Sequence, residues 1–168
     1  KLHLGCGKKY IPGFFHIDIS PGDNIDYVCS ADNIQNFGVN SVDLIYASHV
    51  LEHFGRWEYE RILRHWYGLL KPGGVLRLAV PDFAACVEVY NSLGFEDGLT
   101  GLVGLFVGGQ RNEYDFHKMI FDKKTLSNTL FEIGFSSVRP WDWRLTEHSD
   151  IDDFSQAYLP HMDKQNGK

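Results

Sequence analysis

The feature that most constrains this fold is the alternation of short apolar runs with segments of helical periodicity. Runs typical of strands occupy residues 1–4, 14–19, 26–29, 42–47 and 75–80. Between the last two runs, apolar side chains recur at helical spacing, namely Tyr59, Ile62, Leu63, Trp66 and Leu70. Strands that alternate with helices form a parallel sheet covered on both faces. We therefore predict an α/β fold, Rossmann-like and doubly wound, with a mostly parallel sheet of about six or seven strands.

Glycine, proline and aspartate mark where the predicted elements begin and end. The helix around Trp66 is expected to stop at residues 71–74, with the sequence KPGG, because the residue before proline avoids the α region. Asp82 and Asp122 are predicted N-caps of two later helices, the second of which should end at Gly134. Residues 135–143 are predicted to form a last strand.

The length and net charge of the chain limit the number of domains and the kinds of partner that we expect. A chain of 168 residues predicts a single domain over 1–168, with a cofactor half at 1–80 and substrate or lid elements at 81–168. The net charge of −6 argues against nucleic acid as a partner. Three widely spaced cysteines predict no disulfide framework, and hence a cytoplasmic location. We expect no membrane partner, since the longest apolar run is too short for a span and no signal peptide is recognisable.

The turn after the first predicted strand is the first candidate ligand contact. Ligands of parallel α/β sheets bind beyond the carboxyl ends of the strands. Gly5 and Gly7 lack a Cβ there, so a ligand could approach the backbone closely, although a plain tight turn remains an alternative. A dinucleotide fingerprint is disfavoured, because Tyr10 stands where its third glycine belongs and Asp18 follows too soon.

Two aspartates follow the next predicted strands. Asp18 ends the second strand in HIDIS, where a carboxylate can accept hydrogen bonds from both hydroxyls of a ribose. Asp32 in SADNI is placed where an adenine amino group could be met. The alternatives for Asp18 are a solvated strand end or an N-cap. Ser48 follows the fourth strand and would border the same edge of the sheet.

The order of these motifs resembles the class I S-adenosylmethionine-dependent methyltransferases, and most closely the small type 11 domains. LHLGCG, HIDIS, SADNI, VDLIYASHVLEHF and LLKPGG occur in register from Lys1 to about Val80, and weaker likeness continues to about Trp143. The resemblance implies S-adenosylmethionine as the cofactor. It also implies the following cofactor-binding residues: Leu4, Gly5, Cys6, Gly7, Asp18, Ile19, Ala31, Asp32, Asn33, Ala47 and Ser48.

The chain departs from this family in two places. Lys9 replaces the usual third glycine of the first motif, and the first helix is expected to be short or absent. The family also closes its sheet with a seventh, antiparallel strand. No convincing strand follows Trp143, so we expect that strand to be irregular or to lie beyond Lys168.

The segment His49-x-x-Glu52-His53 matches the inverted zinc-protease signature. On a helix, His49 and His53 would lie on one face, as two metal ligands must. No second metal-spaced cluster is recognisable, so we predict no bound metal. A polar pair formed by Glu52 and His53 and bonded to nearby loops is the favoured reading, with His49 or His53 facing a substrate as the alternative.

His117 is the other candidate catalytic residue. It follows a glycine-rich stretch, residues 94–109, which could fold over the site as a lid or be a loop without a role. A histidine there could act as a general base toward an acceptor, and His49 is the second candidate for that role.

The function implied is transfer of a methyl group to a small acceptor, for which a sugar or glycan precursor is one candidate. Methylation of DNA amino groups or of cytosine carbon is disfavoured, because neither an N/D-P-P-Y/F/W motif nor a Pro-Cys nucleophile occurs. The alternatives are a module that binds S-adenosylmethionine without turnover, and a zinc hydrolase built on His49 and His53. The oligomeric state is not indicated by the sequence.

Overall fold

The computed structural model describes residues 1–93, 99, 101–151 and 153. Five strands lie in this part of the chain: β1 (Leu2–Leu4), β2 (Phe15–Asp18), β3 (Tyr27–Val28), β4 (Val42–Ser48) and β5 (Leu70–Ala79). The helices are α1 (Tyr59–Leu69), α2 (Phe83–Leu93), α3 (Val103–Val107) and α4 (Lys123–Ile133). Two short 3₁₀ helices, Leu51–His53 and Trp143–Leu145, complete the described elements. The alternation predicted from the sequence is therefore present.

All strand pairs in the sheet are parallel, in the order β3-β2-β1-β4-β5. The chain first builds outward from β1 to β3 and then returns to the other side of β1 with β4. Leu4 at the end of β1 pairs with both Ile17 and Ala47, so the ends of three strands lie side by side. The point where strand order reverses, between β1 and β4, is where open α/β sheets bind their ligands.

One face of the sheet is covered by α1 and α4. The apolar stripe of α1 is buried, and the indole Nε1 of Trp66 donates a 2.7 Å hydrogen bond to the carbonyl of Ala31. Asp122 caps α4 by accepting a 2.7 Å hydrogen bond from the amide of Thr125, as predicted. Gly134 ends α4 with φ +127°, a conformation that strongly favours glycine. These contacts fix both helices against the main core.

The opposite face is covered without a helix between β1 and β2. Ile11 and Phe14, from the loop that joins these strands, pack on Leu44 and Tyr46 of β4, with Trp141 closing the cluster. Within the described ranges no helix separates Leu4 from Phe15, so the expected loss of the first helix is confirmed. The loop between β1 and β2 thus covers part of this face of the sheet, which a helix covers in most sheets of this kind.

Two predictions about the elements are wrong. The described sheet has five strands rather than six or seven. Residues 135–143 form no strand, because Trp141 turns its ring onto the sheet face and donates its Nε1–H to the carbonyl of Leu78. The helix stop predicted at residues 71–74 is confirmed within two residues, because α1 ends at Leu69 and β5 begins at Leu70; residues 71–74 lie between Leu70 and Val75, which pair with Val42 and Leu44. Gly73, with φ +80°, and a register shift opposite Val42 absorb the irregularity.

No helix in the described ranges has both the length and the apolar character that a membrane crossing requires.

Candidate functional site

The turn after β1 is shaped by two glycines in the left-handed region, Gly5 with φ +58° and Gly7 with φ +53°. A Cβ on Gly5 would overlap the side chain of Val50, which follows β4, so the two loops are in close contact at the reversal point of the sheet. A Cβ on Gly7 would meet no atom within 4 Å. The backbone of Gly7 therefore borders open space, as a ligand cradle requires.

Asp18 connects the end of β2 to this glycine turn. Its Oδ2 accepts a 2.8 Å hydrogen bond from the amide of Gly7, and its Oδ1 accepts a 2.9 Å hydrogen bond from the amide of Ser20. A carboxylate has about four acceptor positions, so two remain for a ligand. Ile19 beside it is 40% exposed at the strand end, where an apolar ring could contact it.

Asp32 lies beyond the end of β3 and is held by two partners. Hydrogen bonding from Ser30, followed by the contact with Arg61 at 3.2 Å, keeps the pKa of Asp32 below its usual range. Ala31 is buried, whereas Asn33 is exposed and accepts a hydrogen bond from the side chain of Gln35. The Asp32 carboxylate is thus ionised and oriented near the edge of the sheet.

The ends of β1 and β4 are buried beneath these loops. Leu4, Cys6 and Ala47 are almost inaccessible, and burial raises the pKa of the Cys6 thiol to about 12, which leaves it unreactive. Ser48 is also buried, and its Oγ donates a 2.9 Å hydrogen bond to the carbonyl of Asp153. Leu4, Cys6, Ala47 and Ser48 therefore support the site through their backbone rather than through exposed side chains.

Both candidate catalytic histidines lie beside Glu52. His49 has φ +53°, and its Nδ1 is 3.1 Å from Glu52 Oε1. The Nε2 atom of His117 is 3.9 Å from the same oxygen, and burial is the main cause that lowers the pKa of His117. His49, which follows β4, and His117, which comes from a distant segment, thus both lie near the carboxylate of Glu52.

His53 is bonded to that neighbouring segment through its ring, whereas Glu52 is bonded to it through its backbone carbonyl and not through its carboxylate. The carbonyl of Glu52 accepts hydrogen bonds from the amides of Lys118 and Met119, at 2.8 and 3.1 Å. The ring Nδ1 of His53 lies 3.0 Å from the carbonyl of Phe116. These bonds hold residues 116–119 against the 3₁₀ helix Leu51–His53.

The zinc-protease pairing of His49 with His53 is not formed. That pairing needs both rings on one helical face, but the 3₁₀ helix begins only at Leu51 and His49 has a left-handed backbone. The helix expected here starts later, at Tyr59.

The predicted lid falls partly outside the described residues, which omit 94–98 and 100. Of the rest, α3 contacts the His117 segment, since the amide of His117 donates to the carbonyl of Val107 at 3.1 Å. The possible strand after Trp143 also lies largely outside the described residues, which omit 152 and 154–168.

A second polar cluster on the sheet face escaped the sequence analysis. His3 and His148 each stack on Tyr46, and the Tyr46 hydroxyl donates to a carboxylate oxygen of Asp153. Burial lowers the pKa of His3 to about 4. Part of this cluster could have been recognised from the sequence, because the polar residues His3 and His16 interrupt apolar strands. In the structure these two residues are paired in the sheet.

Comparisons with known proteins indicate the family that the chain resembles. The model of the family described as "Methyltransferase domain" matches residues 2–78. Among solved structures, the chain resembles a SAM-dependent methyltransferase from Archaeoglobus fulgidus, at 16% identity and a TM-score of 0.55, over 82% of this chain and 61% of that one. A chain from the complex between the Haloferax volcanii Trm112 methyltransferase activator and its proposed methyltransferase matches at 15% identity and a TM-score of 0.55, over 84% and 62%.

The chain thus spans less than two thirds of the length of either solved structure. Among curated proteins, none matches at a significant level. The predicted fold class and the resemblance to class I methyltransferases are confirmed by the family match over 2–78 and by the sheet order. The residues present also fit a nucleoside-bearing cofactor, because open space at Gly7 adjoins the oriented carboxylate of Asp18.

Proposed function

We infer that this chain, whose residues 2–78 form a class I methyltransferase domain, transfers a methyl group from S-adenosylmethionine to a small acceptor. The observation that carries the proposal is the bond between Gly7 and Asp18, which joins the ends of β1 and β2 on one side of the reversal point of the sheet. It joins an open glycine turn to an acidic strand end, the two elements that class I methyltransferases use for the cofactor. Both lie at the carboxyl edge, where ligands of such sheets bind.

Four of the proposed cofactor contacts have distinct tasks. Asp18 would accept the ribose hydroxyls with its free acceptor positions, while Gly7 leaves room at the methionine end. Ile19 would cover an adenine face and Asp32 would accept from the adenine amino group. S-adenosylmethionine supplies an electrophilic methyl group when bound, so the chain's main task is to align an acceptor with it.

The other proposed contacts form the walls of the site. They contribute buried side chains or backbone groups at the ends of β1 and β4 and after β3: Leu4, Gly5, Cys6, Ala31, Asn33, Ala47 and Ser48. We assign residues 1–80 to cofactor binding and 81–168 to the acceptor side of a single domain.

His117 and His49 are the proposed acid–base residues. A base is needed only if the acceptor carries a proton at the working pH. The lowered pKa of His117 keeps its ring neutral near pH 7, which is the form that can take a proton. His49 follows β4 directly, next to Ser48, and is the second candidate for this contact.

The acceptor is proposed to be small, with a sugar or glycan precursor as the first class to screen. This choice comes from the resemblance to small type 11 domains and from the absence of DNA-methylation motifs in the chain. A cytoplasmic location remains a prediction from the cysteine content.

A second candidate function is a cofactor-binding module that turns over only with a partner protein. One of the similar structures is a complex with a methyltransferase activator, which favours a protein partner for this chain as well. Both functions require S-adenosylmethionine to bind. Only the first requires release of S-adenosylhomocysteine by the chain alone.

Calorimetry with S-adenosylmethionine tests the shared requirement, with NAD⁺ as the control nucleotide. We expect binding of the former and none of the latter. Turnover is then measured with methyl-labelled cofactor and pools of small metabolites, sugars first. Label transfer supports the enzyme; binding without transfer by the chain alone supports the module; absence of binding contradicts both.

A further inference from the structure

Glu52 is a buried carboxylate whose negative charge lacks hydrogen bonds. Its side chain is 1% exposed, and neither carboxylate oxygen accepts a hydrogen bond from any residue that the structure describes. The nearest nitrogen, Nδ1 of His49, lies 3.1 Å from Oε1 without hydrogen-bond geometry. Burying an ionised carboxylate is expensive unless a cation or several donors compensate it. The surroundings of Glu52 should therefore contain a cation.

Two imidazole rings beside Glu52 are oriented as metal ligands are. The Nδ1 atoms of His53 and His117 lie 3.0 Å from the carbonyls of Phe116 and Leu105, respectively. A carbonyl only accepts, so each Nδ1 carries the proton and each Nε2 keeps a free lone pair. Metal-binding histidines are typically held in this way, with the second ring nitrogen bonded to a carbonyl or carboxylate.

The three side chains converge on one point. One potential ligand atom from each of Glu52, His53 and His117 lies within 4.8 Å of the other two. We propose that these three residues bind a divalent transition-metal ion. Two imidazoles and one carboxylate form a donor set that Zn²⁺ takes in enzymes, whereas Mg²⁺ and Ca²⁺ prefer oxygen ligands.

The fold fixes this arrangement through the backbone rather than through the ion. The amides of Lys118 and Met119 donate to the carbonyl of Glu52, which pairs the segment of His117 with the 3₁₀ helix. The amide of His117 is itself bonded to the carbonyl of Val107 of α3. His53 is only partly buried, so the point between the rings can be reached from solvent.

Three protein ligands leave a fourth position open in a tetrahedral site, as in catalytic zinc centres. If the proposed methyl transfer holds, an oxygen of the acceptor is the group to fill it, and His117 then acts as a ligand rather than as a base. Metal binding itself does not depend on that function, because all three ligands belong to the free chain.

Zinc binding to the tag-free, chelator-treated chain tests the proposal, by competition with a chromogenic chelator and in the absence of S-adenosylmethionine. We expect one Zn²⁺ per chain, and no comparable binding of Mg²⁺. Glu52→Gln keeps the shape but removes the charged ligand, so it should weaken binding at least tenfold. If Glu52→Gln fails to fold, His53→Gln provides the test, because His53 is a proposed ligand that is only partly buried.

The matched control is His65→Gln, since His65 lies on α1 and its Nε2 accepts from the amide of Ile34. It should bind Zn²⁺ like the wild type. The proposal would be overturned if Glu52→Gln and His53→Gln bound Zn²⁺ as tightly as the wild type, or if the wild type bound no Zn²⁺. Calorimetry with S-adenosylmethionine is a separate measurement, so failure here is distinguishable from failure of the proposed function.

Discussion

The amide of Gly7 donates a 2.8 Å hydrogen bond to Oδ2 of Asp18, which ties the turn after β1 to the end of β2. Asp18 also accepts from the amide of Ser20, so one carboxylate orders two loops at the same edge of the sheet. Because both bonds come from backbone amides, the carboxylate is oriented and able to accept further hydrogen bonds. The structure thus presents a preformed acceptor beside open space.

Replacement of Asp18 should lower the affinity for S-adenosylmethionine. Loss of a charged hydrogen-bond partner costs about 1.5–3 kcal/mol, or roughly ten- to hundredfold in the dissociation constant. Asp18→Ala is measured by calorimetry, with Asp43→Ala as the control, because Asp43 is an exposed acid at the opposite end of the sheet. Wild-type affinity in Asp18→Ala would refute the ribose assignment.

A side chain at position 7 should block the cofactor through the space it occupies. Gly7→Val places a branched side chain where a Cβ now meets nothing within 4 Å. Gly13→Val is a matched control, because Gly13 also has a positive φ and equally open surroundings. Both variants should lose about 1–2 kcal/mol from backbone strain. Only Gly7→Val should lose S-adenosylmethionine binding, and equal affinities in the two variants would contradict the site.

His117→Ala should retain S-adenosylmethionine binding and lose turnover once an acceptor is known. Removal of a general base costs about 10²–10⁴ in rate with little effect on cofactor affinity, and a loss of turnover is equally expected if His117 is a ligand of the proposed metal ion. Single-turnover rates are compared with those of His65→Ala, whose ring is bonded to the Ile34 amide instead. If His117→Ala keeps the wild-type rate while His49→Ala loses it, His49 takes the catalytic role.

Acid should destabilise the fold through His3. Burial lowers the pKa of His3 from 6.5 to about 4, so between these pH values the unfolded chain binds a proton that the folded chain does not. Stability should therefore decline as the pH falls from 6.5 to 4, by up to about 3 kcal/mol from this residue. His3→Phe keeps a ring against Tyr46 but cannot be protonated.

Urea unfolding at pH 7.5 and pH 5 measures this difference. The loss of unfolding free energy between the two pH values should be smaller in His3→Phe than in the wild type. A remaining loss is expected from His148, whose pKa burial lowers as well. An identical loss in both proteins would show that His3 does not cause it.

Much of the sheet could be predicted because its signals are local. The apolar runs place β1, β2 and β4 within one or two residues of their observed bounds. The aspartates before α2 and α4 and the glycine after α4 depend only on backbone groups a few residues away. The glycine turn and Asp18 are local in the same sense, and the order of motifs sufficed to indicate the family.

The errors arise where a distant contact outweighs a local preference. Residues 135–143 have strand-like composition, but Trp141 gains more by covering Tyr46 and bonding to Leu78 than by extending the sheet. The deciding partners, Tyr46 and Leu78, lie far along the chain from Trp141.

The sequence by itself determined the strands, the glycine turn and the acidic strand end. These features depend on the periodicity of apolar residues and on the backbone conformations and hydrogen bonds that single residue types allow. Only the tertiary structure decided what surrounds Glu52. His49 stays beside Glu52, with its Nδ1 3.1 Å from Oε1, and backbone bonds from Lys118 and Met119 bring His117 to the same carboxylate. A motif records spacing along the chain, whereas a ligand set is defined by distances in space, and here folding added a histidine from a distant segment to those of the motif.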